Sequence, residues 1–276
     1  MKSQKNEVGD LWPGQSVALL KALHILTHNG GLNADSRRKL KQVQHLAQLI
    51  KPAIDAAMAS SREAVGQNKK AEKDQPVLAD LGAGKSYLGF ILYDLYFAKV
   101  GRGRVIAVEA RADLIQTAKK IAAESGFDRM DFVEGKIAES ALGAVDIVTA
   151  LHACDTATDE AILFALKHEA KFVALVPCCQ AEVARQLDDA KGAVDQLWRH
   201  GLHCREFGAH LTNVLRGLYL EAHGYKVRVT EFTGFEHTKK NEMIFAERHQ
   251  RSNPRAQAEF EKLVKEIGAA PKLLSF

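Results

Sequence analysis

From Pro76 onward the sequence alternates short apolar runs with helical segments, and this alternation is what most constrains the fold. Five runs read as strands: Val77–Leu81, Val105–Glu109, Asp131–Val133, Asp146–Ala150 and Phe172–Val176. Helical patterns lie between them at Tyr87–Val100, Leu114–Ser125 and Asp159–Glu169. Strands that are joined by helices run parallel, because a parallel pair needs a long crossover connection. The alternation therefore predicts an α/β fold, a Rossmann-like sheet with helices on both faces.

The last third of the sequence predicts how this sheet is completed. Two β-type runs, Lys226–Thr233 and Met243–Glu247, follow a helix near Leu211–Ala222, and they suit an antiparallel hairpin at the edge of the sheet. A polar cluster at His210–Arg216 has no role that the sequence assigns. Residues Pro254–Phe276 read as a terminal helix and tail.

The N-terminal quarter has a different, purely helical pattern. The clearest helix begins near Asp35-Ser36, a plausible N-cap, and carries an apolar stripe made by Leu40, Val43, Ala47 and Ile50. Pro52 is expected to interrupt or kink this helix. Residues 66–76 are polar and bounded by Gly and Pro, so they read as a linker. We therefore predict a helical N-terminal extension at 1–75, a Rossmann-like domain at 76–250 and a C-terminal helix and tail at 251–276.

Positive charge is concentrated in this extension. Residues 1–75 hold 12 Lys and Arg against 7 Asp and Glu, whereas the whole chain has a net charge of only +4. Around the apolar stripe lie five of these cations: Arg37, Arg38, Lys39, Lys41 and Lys51. A basic appendage on a nearly neutral body suits contact with a polyanion such as RNA, although helices that merely aid solubility show the same imbalance.

A glycine turn directly after the first strand is the main candidate for nucleotide binding. It reads Asp80-Leu-Gly82-Ala-Gly84-Lys-Ser, and spacing separates the possible ligands. A Walker A loop would need glycine where Ala79 stands, and a dinucleotide fingerprint would need its third glycine where Tyr87 stands. Neither pattern is met.

The turn instead fits the acid-x-Gly-x-Gly pattern of S-adenosylmethionine sites. The glycines let the backbone approach the amino-acid part of the cofactor, and Asp80 can organise its ammonium group. Glu109, at the end of the second strand, can accept hydrogen bonds from both ribose hydroxyls. Lys136 and Ile137, after the third strand, are expected to border the adenine. Lys136 cannot accept from the adenine amino group, so that contact would fall to backbone carbonyls.

Two unusual clusters follow the fourth and fifth strands, where ligands of doubly wound sheets lie. They are Leu151-His152-Ala-Cys154-Asp155-Thr-Ala-Thr-Asp159 and Pro177-Cys178-Cys179-Gln180. His152 could act as a general base or line the pocket for the methionine part of the cofactor. Asp155 could remove a proton from a hydroxyl, orient His152 or cap the following helix, whereas Asp159 is better explained as a helix cap. We expect the ends of these two strands to be neighbours.

The cysteines in these clusters leave three roles open. Cys154, Cys178 and Cys179 could include a nucleophile, as in RNA cytosine-5 methylation, or serve as small packing thiols. With His152 they would make four soft ligands, but adjacent cysteines chelate zinc poorly and the usual spacing is missing, so no metal is predicted. Four cysteines in 276 residues do not suggest a disulfide framework, and we expect reduced thiols.

The same segments resemble those of a known enzyme family. The glycine turn, the run Leu151–Ile162 and the Cys-Cys segment are similar to a subfamily of class I methyltransferases. That subfamily includes the methyltransferase domain of glutathione S-transferase C-terminal-domain-containing protein. A similar arrangement occurs in eukaryotic tRNA 2′-O-methyltransferases that carry a CHHC zinc finger, which is absent here. The resemblance covers residues 77–182.

The resemblance and the residues together imply an S-adenosylmethionine-dependent methyltransferase with RNA as its preferred acceptor. A protein side chain or a small metabolite is the alternative acceptor, and a non-catalytic cofactor-binding module is the alternative class. No apolar stretch is long enough for a membrane span, and the N-terminus lacks a secretory pattern, so a cytoplasmic protein is expected. The oligomeric state and the accepting atom stay open.

Overall fold

The computed structural model describes residues 11–67, 75–151, 153, 155–177, 181–187, 196–231 and 242–274. The strands are β1 Val77–Leu81, β2 Arg104–Glu109, β3 Met130–Glu134, β4 Ile147–Leu151, β5 Phe172–Val176, β6 Tyr225–Glu231 and β7 Glu242–Arg248. The helices are α1 Val17–Ala22, α2 Ala34–Gln67, α3 Tyr87–Leu92, α4 Ala98–Val100, α5 Ala112–Glu124, α6 Thr156–Lys167, α7 Glu182–Leu187, α8 Gly201–Ala222 and α9 Pro254–Ile267. A π-helical segment at Tyr93–Phe97 joins α3 to α4, and short 3-10 turns lie at Ile137–Glu139 and Lys272–Leu274.

The strands form a seven-stranded sheet in the order β3-β2-β1-β4-β5-β7-β6. The pairs β1/β2, β2/β3 and β4/β5 are parallel, and β7 is antiparallel to both β5 and β6. This is the predicted Rossmann-like α/β sheet, completed by the predicted antiparallel hairpin. β1 and β5 have the predicted bounds, and the other strands differ from them by one or two residues at an end.

The chain divides into two compact units, with described residues up to Gly135 in the first and those from Lys136 in the second. The first unit contains β1 to β3 with α1 to α5. The second contains β4 to β7 with α6 to α9. The predicted three-part division of the chain stays a prediction.

In the first unit, α2 runs unbroken from Ala34 to Gln67, which corrects the expectation that Pro52 interrupts it, whereas a kink at Pro52 stays a prediction. Its apolar stripe of Leu40, Val43, Ala47 and Ile50 is buried, as predicted. The helix passes through Pro52 without ending there. Its N-cap is Asn33, whose Oδ1 accepts a hydrogen bond from the Ser36 amide at 2.8 Å, whereas Asp35 and Ser36 were predicted to cap it. The cap lies two or three residues earlier than predicted, because the Asn33 side chain accepts from an amide of the first turn that has no partner within the helix.

The segment before α2 is also packed onto the first unit. Ser16 caps α1 through its side chain, and its amide donates to Asp94 Oδ2 at 2.9 Å. Lys99 Nζ donates to the Pro13 carbonyl at 2.9 Å, and Gln44 Nε2 donates to Gln15 Oε1 at 3.2 Å. Burial raises the pKa of Asp94, while the Ser16 amide acts in the opposite direction. The N-terminal helices are therefore integrated into the fold and present their basic residues from a fixed position.

In the second unit, α7, α8 and α9 enclose their own apolar cluster. Its buried members are Val183, Leu187, Trp198, Cys204, Leu211, Leu215, Phe260 and Ala269. Helices α7 and α8 approach closely at Gly208, where an added Cβ would lie 2.6 Å from the Ala184 Cβ. Cys204 is buried in this cluster, and its Sγ donates to the Ala184 carbonyl at 3.2 Å. This cluster supports one side of α8, whose Arg216 is described below.

Candidate active site

The glycine turn after β1 is built by local backbone geometry. Gly82 and Gly84 have φ angles of +61° and +56°, in the left-handed region that favours glycine. The Ala83 amide donates to the Val108 carbonyl at 3.0 Å, and the Ser86 amide donates to the Ala83 carbonyl at 2.7 Å. The turn is thereby attached to β2 and leads directly into α3.

Glu109 lies half-buried at the end of β2 and connects this turn to the next one. Its Oε2 accepts from the Gly84 amide at 2.8 Å, and its Oε1 accepts from the Arg111 amide at 3.0 Å. A carboxylate has about four acceptor positions, so two remain for hydroxyl donors. A Cβ added at Gly84 would meet no atom within 4 Å, which leaves open space above the turn. Both features fit the ribose and amino-acid parts of S-adenosylmethionine.

Asp80 has a structural role that the sequence did not indicate. Its side chain is buried, and Ser86 Oγ donates to its Oδ2 at 3.3 Å. Ser86 itself has a φ of +53°, unusual for a residue with a side chain, so its hydroxyl contact helps to hold the turn. Contact between Asp80 and the cofactor ammonium stays a prediction.

Gly89 in α3 is a further residue on which the turn depends, and sequence reasoning missed it. A Cβ at this position would lie 2.6 Å from Ser86 Oγ and 3.1 Å from Asp80 Oδ2. Only glycine lets the first turn of α3 pass so close to this pair. The signal in the sequence was a glycine inside an otherwise apolar helix, which commonly marks a close approach.

We predict that Gly89→Ala weakens cofactor binding by about tenfold, because the methyl group displaces Ser86 from Asp80 and distorts the turn. Calorimetric titration with S-adenosylhomocysteine measures the change. Gly217→Ala in α8 is the matched control, since its Cβ would make an ordinary 3.8 Å contact with Val227. Equal affinity of both variants would show that the Ser86–Asp80 contact is not needed.

Lys136 and Ile137, the predicted adenine neighbours, lie at the start of the second unit. The Lys136 side chain is exposed, with Nζ 3.5 Å from Glu139 Oε1, and the Lys136 carbonyl accepts from Ser140 Oγ at 2.8 Å. Ile137 is buried and lines a cavity of about 310 Å³ together with residues of α6, including Phe164. Their role at the adenine stays a prediction.

The ends of β4 and β5 are neighbours, as predicted. Asp155 is half-buried in the loop after β4, and its Oδ1 accepts from the Ala181 amide, in the loop after β5, at 3.3 Å. His152, Cys154, Cys178 and Cys179 lie outside the described residues, and so their predicted roles stay predictions. Within the described part of the chain, no group of three or more potential metal ligands comes together.

Asp159 is not the helix cap that the sequence predicted. Helix α6 begins at Thr156, so Asp159 lies within its first turn, too late to cap it. Its side chain is fully buried and forms an ion pair with Arg216 of α8, in which Nε is 2.8 Å from Oδ1. Arg216 was also missed, although an arginine in the apolar sequence Val214-Leu215-Arg216-Gly217-Leu218 was a signal for a buried partner.

The end of α1 and the residues directly after it lie beside the residues that follow the glycine turn. A small cavity of about 60 Å³ is lined by His24, Lys85 and Tyr87 together with residues of α1 and α5. His24 and Lys85 are exposed there. Polar side chains from two separate segments of the chain therefore lie beside the turn.

Comparison with known proteins identifies the family. A family model described as a methyltransferase domain matches residues 38–186, more than half of the chain. A search of curated proteins gives no match. No helix in the part of the chain that the structure describes is long and apolar enough to cross a membrane.

Three solved structures illustrate the structural similarity. A rRNA methylase from Streptococcus thermophilus has 10% identity and a TM-score of 0.42, with 64% of this chain and 88% of that chain covered. A precorrin-6y C5,15-methyltransferase from Geobacter metallireducens has 17% identity and a TM-score of 0.40, covering 63% and 79%. TrmK of M. capricolum, in complex with S-adenosyl-homocysteine, has 14% identity and a TM-score of 0.40, covering 67% and 68%. The match to the family model shows the family, and the strand order shows the fold.

Proposed function

Because the chain belongs to the methyltransferase-domain family, we propose that it is an enzyme that methylates RNA at a hydroxyl group. The enzyme class and the cofactor, S-adenosylmethionine, come with the family. The RNA acceptor is our proposal, and the observation that carries it is the fixed basic surface of α2. The likeness of the His-x-Cys and Cys-Cys segments to those of tRNA 2′-O-methyltransferases supports a hydroxyl as the accepting group.

The basic surface consists of the exposed cations of α2. Lys39 and Lys51 are paired with Asp35 and Asp55, one helical turn away. Arg38 and Lys41 are exposed, and no ion pair joins either of them to an acid among the described residues. Unpaired cations on a helix that is anchored to the fold suit phosphate contacts, which give affinity without reading sequence.

In the mechanism that we propose, residues after β1 and β2 hold the cofactor, and a residue after β4 removes a proton. The turn at Gly82 and Gly84 accommodates the amino-acid part, and Glu109 accepts from the ribose hydroxyls. Bound there, S-adenosylmethionine would supply an electrophilic methyl group on a sulfonium that can leave as a neutral thioether. Asp155 takes the proton from the RNA hydroxyl as the new oxygen–carbon bond forms, with His152 as the alternative base. Positioning supplies most of the remaining acceleration.

The proposal is tested by following tritium from labelled S-adenosylmethionine into a fractionated cell extract. Label that RNase removes and protease leaves supports an RNA acceptor. Label that only protease removes identifies a protein side chain, and label in the small-molecule fraction identifies a metabolite. Cofactor binding without transfer to any fraction would favour a non-catalytic binding module. Fractionation of the same cells also tests the predicted cytoplasmic location.

We predict that the charge reversal Arg38→Glu with Lys41→Glu weakens binding of bulk tRNA by at least about tenfold and reduces its salt dependence, because two phosphate contacts are lost. Filter binding at several salt concentrations measures both effects. The control is Lys262→Glu with Lys265→Glu on α9, which changes the net charge equally at two other exposed lysines. Equal weakening in both variants would indicate a general charge effect, and unchanged binding in the α2 variant would remove the main support for RNA.

A further inference from the structure

We propose that Arg216 is a positioning residue, which holds the backbone turn that presents Asp155 to the acceptor. This inference rests on the proposed function, in which Asp155 removes the acceptor's proton. Arg216 is itself only 1% exposed, so it does not reach the acceptor and acts through the residues around it.

The guanidinium of Arg216 joins three parts of the second unit. Its Nε and Nη2 donate to the two carboxylate oxygens of Asp159 at 2.8 and 2.9 Å, in a bidentate arrangement. Nη2 also donates to the backbone carbonyl of Asp155 at 2.9 Å, and Nη1 donates to Asn213 Oδ1 at 3.4 Å. Helix α8 is thereby connected both to α6 and to the loop that precedes it.

The turn at Asp155 needs such support. Asp155 has a φ of +53° and a ψ of −122°, a backbone conformation that residues with a side chain rarely adopt. A strained backbone persists only where its surroundings hold it. The bond from Arg216 holds the carbonyl of this residue, and the bond from the Ala181 amide holds its carboxylate.

The position of the ion pair also argues for more than packing. Replacing a buried ion pair with apolar residues of similar volume is often neutral or stabilising, so stability alone does not explain Arg216 and Asp159. Moreover, Arg216 and Asp159 are 57 residues apart along the chain, and each is nearly inaccessible to solvent. An apolar pair would lack the hydrogen bonds that Arg216 donates to Asn213 and to the Asp155 carbonyl, and of these the bond to Asp155 reaches the loop beyond α6 and α8.

The test compares wild type with the double variant Arg216→Met with Asp159→Leu. This variant removes both charges while keeping the volume similar, so it should fold, whereas Arg216→Met alone leaves Asp159 buried without its cation. We expect the double variant to keep the wild-type affinity for S-adenosylhomocysteine and the wild-type KM for S-adenosylmethionine. Its kcat should be at least about tenfold lower. The acceptor in this assay is bulk RNA from cells that lack this protein, so that it is not yet methylated. Arg216→Lys keeps a cation beside Asp159 and serves as the second variant if the double variant does not fold.

Hydrogen exchange at the Ala181 amide gives a readout that does not need the acceptor. This amide donates to Asp155, so it should exchange faster in either variant if the turn relaxes. If the proposed function is wrong, the wild-type protein transfers no methyl group to RNA. Hydrogen exchange at the Ala181 amide still shows in that case whether Arg216 holds the turn at Asp155. The matched control is Arg248→Met, because Arg248 contacts the carboxylate and carbonyl of Glu169, another residue with positive φ, on the exposed surface. Wild-type kcat and wild-type exchange in a folded variant at 216 would overturn the proposal.

Discussion

Asp155→Asn should lower kcat for methyl transfer by about 10²–10⁴-fold, the usual contribution of a general base. The amide keeps the shape of the side chain and an oxygen that can accept from the Ala181 amide. It cannot take a proton from a hydroxyl. Because the predicted cofactor ligands at the glycine turn and at Glu109 belong to a different part of the chain, affinity for S-adenosylhomocysteine should stay unchanged. Kinetics with labelled cofactor and calorimetry with the product measure the two effects separately.

The control for this variant is Glu169→Gln, which neutralises an exposed carboxylate just beyond the far end of α6, where Arg248 lowers its pKa. It should leave kcat as it is in the wild type. If Asp155→Asn also retains activity, Asp155 is not the base, and His152 becomes the first residue to replace. If Asp155→Asn loses cofactor binding together with activity, the loop contributes to the cofactor site instead.

The elements that were predicted correctly are those encoded by neighbouring residues. β5 is a continuous apolar run that Pro177 follows, β1 is apolar except for Asp80 and lies between Pro76 and Gly82, and the bounds of both strands match the prediction. The glycine turn is a local pattern as well, since φ values of Gly82 and Gly84 depend on residues within the same turn. The strand-end position of Glu109 follows from the same short segment. Local interactions were therefore sufficient to predict the fold and the position of the glycine turn, whereas the roles of Asp80 and Glu109 at the cofactor stay predictions.

The parts that were missed depend on partners far away in the sequence. Asp159 looked like a helix cap because acids favour that position, and only its contact with Arg216 reveals it as a buried charge. The Ser16 amide binds the side chain of Asp94, 78 residues later, so the N-terminal segment could not be attached to the fold from its own pattern. In both cases an aspartate binds a group that is far away in the sequence, Arg216 for Asp159 and the Ser16 amide for Asp94. Such a contact is seen only in the folded chain.

Glu109→Ala should weaken the affinity for S-adenosylhomocysteine by about 10- to 150-fold, which corresponds to about 1.5–3 kcal/mol of lost charge-assisted hydrogen bonds. The structure adds a second reason to the expected loss of the ribose contacts. The same carboxylate accepts from the Gly84 and Arg111 amides, so its removal also frees the glycine turn. Glu109→Gln keeps one oxygen and should show an intermediate loss. Calorimetry on both variants measures this order.

The matched control is Glu134→Gln, because Glu134 is the exposed residue paired with Glu109 in register at the end of β3. It should bind the product as the wild type does. Circular dichroism must show the same fold for all three variants, since a misfolded Glu109→Ala would lose affinity for another reason. Wild-type affinity in a folded Glu109→Ala would place the ribose away from the end of β2. In that case only the glycine turn would still support an S-adenosylmethionine site, without Glu109 as the ribose ligand. The open space above Gly84 alone does not distinguish this cofactor from other nucleosides.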